Sequence, residues 1–257
     1  MDNLPKYLYS IIRCSEERTF NDVAPIGGPG GRVYTIPHQG IAVVVSDALA
    51  DRYESTRANM LAHERVQERV LKEFTLLPVR FGTVADSESP REKIEKLLEK
   101  RSREMDGLLA EMDGKVELGL KALWRDEKAI FEEIVAQNED IRRLRDSLAG
   151  KPPQATHFDR IRLGERVKEA LERKKAADMA TILAPLRRIA RRVVENQVFG
   201  DRMIANAAFL VDRDREGEFD QQVRKLDEEM GRRIVFKYVG PVPPYNFVNI
   251  VVNWGEM

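Results

Sequence analysis

Two aspartates, Asp212 and Asp214, flank Arg213 in the run "DRD", between an apolar strand-like run and a helix-like run. Carboxylates at this spacing can hold a divalent cation with a bound phosphate. They also have structural uses: Asp214 stands where a helix N-cap belongs, and Asp212 can pair with a neighbouring cation. "RRIARR", residues 187–192, sets Arg187 against Arg191 and Arg188 against Arg192 at i,i+4 on a predicted helix. Such a basic ridge suits a phosphate backbone. The nearby Asp178 and Glu195 favour a solvated helix face instead.

The run "GGPGG" (Gly27, Gly28, Pro29, Gly30, Gly31) has the glycine density of a phosphate loop. It lacks the G-x-x-x-x-G-K-[ST] spacing, and a strand follows where a helix N-terminus would be needed, so it reads as a connector. His38, His63 and His157 are far apart, and Cys14 stands alone at the end of an apolar run. No pair among them has the spacing of metal ligands on a helix. His63 shares a helix face with Met60, Val70 and Phe74, the setting of a packed histidine, and Cys14 reads as a small buried hydrophobe. No nucleophile elbow, zinc-protease pair or kinase motif set is present. The reading is of a chain with no catalytic residues, no cofactor and no metal.

Composition agrees. The chain has 257 residues, 42% hydrophobic and 33% charged, with 43 basic and 43 acidic residues. A dedicated nucleic-acid binder carries a basic excess, whereas zero net charge offers little repulsion between associating proteins. One cysteine permits no intrachain disulfide and fits a reducing cytoplasm. No apolar run is long enough for a membrane span, and the N-terminus has no signal-peptide pattern.

The elements that position these residues follow from periodicity. Strands are expected at 6–14, at 32–47 around a turn at His38–Gly40, and at 75–85. A helix is expected over 56–74, and another after Ser89, Pro90 and Glu92, which resemble an N-cap, a first-turn proline and a capping-box partner. Its apolar stripe, Ile94 to Met112, is interrupted by Arg101, and Gly114 stops it. "KVELGLKALW", residues 115–124, alternates as a half-buried strand. Asp126 caps one helix to about 149; Thr156 and Asp159 open a second that runs to about 197, with Pro185 inside it. Strand, helix and strand follow over 203–211, 216–230 and 232–239, then the closing run "VGPVPPYNFVNIVV".

Mixed strands and helices without regular βαβ repetition predict an α+β protein with antiparallel-rich sheets packed by amphipathic helices. Two domains are expected, 1–113 and 114–257, the second compatible with a ferredoxin-like plan carrying a long helical insertion.

Six pieces carry a resemblance: "YLYSII", "LAHERVQERVL", "LPVRFGTV" at 77–84, "VELGLKALW" at 116–124, "NAAFLVDRD" at 206–214 and "GPVPPYNFV" at 240–248. Together and in this order they resemble the gas vesicle protein family GvpF/GvpL over nearly the whole chain. Val242 departs from the motif, which commonly has tryptophan there. The resemblance implies an accessory protein needed to form gas vesicles, located in the vesicle or cytoplasm. It implies contact with the small shell protein and other accessory proteins, and no enzymatic activity. Its motif residues here are Arg80, Phe81, Gly82, Asn206, Asp212, Arg213, Asp214, Pro243, Pro244, Tyr245 and Phe247.

Two places in the chain carry physical expectations. Arg80, inside an apolar strand, has to pair with a carboxylate or backbone carbonyls. Pro241, Pro243 and Pro244 fix an extended lead-in, so that residues 247–252 dock as a strand closing the second domain, with Tyr245 and Phe247 on one side.

Overall fold

The computed structural model describes residues 4–28, 30–86 and 88–256; Pro29 of the glycine-rich run lies outside the described residues. The chain forms two compact units, one built from residues up to Glu117 together with the segment from Pro241, the other Leu118–Gly240. The closing segment belongs to the first unit and not to the second.

In the first unit, β1 (Lys6–Arg13), β2 (Thr19–Phe20), β3 (Val33–His38), β4 (Ile41–Asp47) and β5 (Leu76–Pro78) form a sheet in the order β2-β3-β4-β1-β5. The short β6 (Val84–Ala85) also pairs with β1. Gln39 and Gly40 turn the β3–β4 hairpin with φ of 49° and 89°, the primed geometry that matches strand twist. The first seven residues of β1 are all buried, without alternation. The reason is that both sheet faces are covered. Helix α1 (Arg57–Leu71) gives Val66 and Val70 to a cluster with Tyr7, Tyr9, Ile12, Phe20 and Val44. Helix α2 (Pro90–Met112) adds nothing to that cluster and packs on β1, β3, β4 and β5 with Ile94, Leu98, Met105 and Leu109. A register shift between Leu8 and Ser10 changes the side-chain parity of β1, so Tyr7 before it and Ile12 after it share one cluster.

Several local expectations change. Met60 is 42% exposed; the buried stripe of α1 is His63, Val66, Gln67 and Val70. Ser89 is left-handed with φ 50° and makes no cap bond, so only Pro90 of the expected start signal acts. Arg101, the interruption in the stripe, is non-helical (φ −110°, ψ 15°) and kinks α2, while its guanidinium pairs with Glu104 at 2.7 Å. The single strand expected over 75–85 is two short strands separated by a turn.

The second unit holds the sheet β10-β7-β9-β8. Its strands are β7 (Lys115–Trp124, entering from the first unit), β8 (Arg192–Glu195), β9 (Met203–Asp212) and β10 (Ile234–Val242). Asp126 does cap α3 (Glu127–Gln137), accepting from the backbone of Lys128 and Ala129. The helix then breaks at Asn138, and α4 (Glu139–Leu148) follows. Thr156 makes no cap bond to α5 (His157–Arg187); its hydroxyl meets Pro152 and Arg160. Pro185 lies in the last turn of α5, which ends at Arg187 rather than at 197. The strand β8 that follows was not expected, and it removes Arg191 and Arg192 from any helix. Helix α6 (Glu216–Met230) matches its expected span. Among the described residues no helix is long and apolar enough to cross a membrane.

Candidate functional site

The first-unit motif residues converge beside β5. The turn after β5 carries Arg80, Phe81 and Gly82; Gly82 has φ +81°, which a side chain tolerates poorly. That turn points the Gly82 amide at the Tyr7 hydroxyl, 3.0 Å away. Tyr7 Oη accepts this bond and lies within hydrogen-bond distance, 3.0 Å, of His63 Nδ1. Burial holds His63 neutral, with its pKa pushed down to about 4. Its ring stacks on Tyr9 at 5.6 Å and meets Phe81 edge-on at 5.7 Å. The same burial raises the phenol of Tyr9 to about 12 and that of Tyr7 further.

Gln67, one helical turn beyond His63, is fully buried. Its Nε2 donates to the carbonyls of Tyr9 (2.5 Å) and Val79 (3.3 Å), and its Oε1 accepts from the Tyr245 hydroxyl at 2.6 Å. Asn246 adds two bonds to Glu117, from its amide (2.9 Å) and from Nδ2 (2.6 Å). Glu117 is 3% exposed, and burial raises its pKa against the lowering effect of Asn246. Phe247, Val248 and Ile250 are buried, and Ile250 forms an isolated parallel bridge with Val79. Arg101 donates to the Val251 carbonyl at 2.8 Å.

Two expectations are corrected here. Residues 247–252 are not a strand: Pro243 accepts from the Tyr245 amide, and Pro244 from those of Phe247 and Val248. The prolines thus lead into a turn, so Tyr245 and Phe247 do not share the side of an extended chain. Arg80 is exposed, outside any strand, and its Nε donates to Asn249 Oδ1 at 3.0 Å rather than to a carboxylate or a backbone carbonyl.

The second-unit motif residues are spread along β9 and into the turn after it. Asp212 accepts from Arg191 Nε at 2.7 Å. Asp214 lies in a 3-10 turn, Arg213–Arg215, and caps nothing. Asn206 holds the segment after β8, donating to the Gln197 carbonyl at 3.1 Å and accepting from the Asn196 amide at 2.7 Å. Arg187 pairs with Glu195. The ridge of residues 187–192 is therefore no ridge, because it spans a helix end, a turn and a strand. Among the described residues no group of three or more His, Cys, Asp or Glu can hold a metal ion. Cys14 is half-buried, its thiol donating to the Glu16 carbonyl.

Gln67, Glu117, Asn246 and Asn249 escaped the sequence reading. Gln67 follows His63 by four residues on the inward face of α1, and that spacing was the available signal. Glu117 stood on the outward side of the β7 alternation, and nothing in the strand itself indicated a cover.

The chain is similar over nearly its whole length to gas vesicle accessory proteins. It matches the crystal structure of the gas vesicle protein GvpF from Anabaena sp. PCC7120 with a TM-score of 0.82 at 28% identity, over 97% of this chain and 100% of that one. The crystal structure of GvpF from Microcystis aeruginosa gives 0.78 at 27% identity, over 95% and 98%. Gas vesicle protein F of Streptomyces sp. (strain CB03234) is 31% identical over 244 residues, 94% of this chain and 98% of that protein. The profile of the family described as gas vesicle synthesis protein GvpL/GvpF matches residues 5–249, and the chain belongs to that family.

Proposed function

We propose that the chain acts without catalysis during gas vesicle formation, in the cytoplasm and at the vesicle, by contacting the small apolar shell subunit and other accessory proteins. Family membership over residues 5–249 is the observation that carries this reading. The site chemistry supports it. Polar motif side chains are engaged with neighbouring residues, Tyr245 with Gln67, Arg80 with Asn249 and Asp212 with Arg191, in pairings that position backbone and do not converge on a ligand. Arg80, Phe81, Gly82, Pro243, Pro244, Tyr245 and Phe247 seat the closing segment. Asp212, Arg213 and Asp214 shape the end of β9, and Asn206 holds the segment after β8 near the start of that strand. Neither nucleic acid nor a membrane has a role in this reading.

A subunit that lines a water-excluding wall is aggregation-prone before assembly, and a partner that shields it answers that problem. The β-α-β-β-α-β order of the second unit, with sheet order β10-β7-β9-β8, supports a ferredoxin-like plan in which α3 and α4 are the insertion. Affinity purification of the tagged chain from vesicle-forming cells tests the reading. Recovery of the shell subunit is expected; recovery of the chain without any vesicle protein would overturn it.

A further inference from the structure

The sheet of the second unit ends at β10, and no other described strand pairs with its outer side. Two contacts fix its register against β7. The Arg125 amide donates to the Arg233 carbonyl at 2.8 Å, and a Cβ added to Gly119 would lie 3.0 Å from Val239. Both describe one antiparallel register, with Arg125 opposite Arg233, Gly119 opposite Val239, and therefore Lys121 opposite Lys237. Backbone groups alternate along an antiparallel strand, so Val235, Lys237 and Val239 turn theirs toward β7, while Phe236 and Tyr238 turn theirs to the open edge. Side chains alternate too. Tyr238 stacks on Phe219 of α6 at 5.9 Å, and beside it Phe236 lines a cavity of about 320 Å³ with Val223 and Arg224. Val235, Lys237 and Val239 lie on the other face, where Val239 is 57% exposed. Lys121 and Lys237 are both exposed, and neither has a carboxylate partner among the described residues. Like charges directly opposite on a sheet repel, so the free protein holds an uncompensated cation pair flanked by two valines.

We propose that the open edge of β10 is a strand-addition site, and that its occupant is an extended partner segment carrying one carboxylate between apolar residues at alternate positions. Added to this edge, the segment bonds the backbone of Phe236 and Tyr238. Its carboxylate stands beside Lys237, next to Lys121, and the apolar residues on either side of it stand beside Val235 and Val239. Its remaining side chains face the cavity at Phe236. Charge complementarity selects this occupant over a second copy, whose β10 would set lysine against lysine. That the segment belongs to another vesicle protein rests on the functional reading above.

The test adds two capped synthetic peptides, TVTETVT and TVTKTVT, to the full chain and follows amide hydrogen exchange. The glutamate peptide is expected to slow exchange at Phe236 and Tyr238, and to bind about fivefold more tightly than the lysine peptide. Lys237→Glu sets an opposite charge against Lys121 and so spares the fold; it is expected to reverse that preference. Equal binding of the two peptides or none, an unchanged preference in Lys237→Glu, or protection elsewhere than at these amides would overturn the site. Protection of the two amides that grows with protein concentration, without peptide, would give the edge to a second copy and overturn the occupant. In vesicle-forming cells, Lys237→Glu is expected to recover less of the partner than the unsubstituted chain does. Vesicle proteins that co-purify equally with both would leave the functional reading standing and remove a vesicle protein from this edge.

Discussion

Asn246 closes on Glu117 with two hydrogen bonds, 2.9 Å from its amide and 2.6 Å from its side chain, and so fastens the end of the chain to the start of β7. Both carboxylate oxygens accept, as a buried carboxylate requires. Asn246→Ala removes one donor and leaves Glu117 under-satisfied. A loss of about 1–3 kcal/mol is expected. Urea unfolding measures it, and Glu117→Leu together with Asn246→Ala should recover part of the loss, because no buried charge then remains.

His63 sets a pH dependence. Its pKa is about 4 in the folded chain against 6.5 for an ordinary histidine, so the unfolded chain binds more protons between those values. Stability is fully present above about pH 6.5 and falls as pH drops toward 4, by up to about 3 kcal/mol. Melting curves from pH 4 to 7 for the protein and for His63→Gln check this. The variant should lose most of that slope, although Glu117, whose pKa is raised, adds a slope of opposite sign.

Asp178 on α5 joins β7 to the turn before β10 in the second unit. It accepts from Trp124 Nε1 at 2.8 Å and from Arg233 at 3.0 Å, and Trp124 is fully buried. Asp178→Ala leaves both donors without this partner, and a loss of about 2–3 kcal/mol is expected. Asp178→Asn keeps one acceptor and should cost less. Thermal unfolding of the two variants gives the ranking.

Asp212 and Asp214 are expected to be dispensable. Arg191, the partner of Asp212, is 64% exposed in its side chain, and such pairs contribute about 0–1 kcal/mol. The double change to asparagine should leave the melting temperature within a few degrees and vesicle production largely intact. A stoichiometric divalent ion in the purified protein, lost in this variant together with vesicles, would reverse the reading.

Local period made much of the fold legible in the sequence. The span of β7 followed from its apolar alternation and that of α2 from its apolar stripe together with Pro90 and the stop at Gly114, and Asp126 announced α3 by its capping chemistry. Long-range closure was not legible. The Arg187–Arg192 spacing imitates a helix face, but α5 ends at Arg187 just after Pro185, and pairing with β9 draws the next residues into β8. The closing prolines promised an extended strand, yet the carbonyls of Pro243 and Pro244 accept turn bonds, and the segment returns to the unit where the chain began. Propensity speaks for a residue and its neighbours; Gln67 meeting Tyr245 is set by tertiary packing.

Removing the gene from a vesicle-forming cell and counting vesicles by electron microscopy tests the central claim most directly. No mature vesicles, or sharply fewer, are expected, with recovery when the unsubstituted chain is supplied in trans. Vesicles of normal number and shape in its complete absence would contradict a role in their formation.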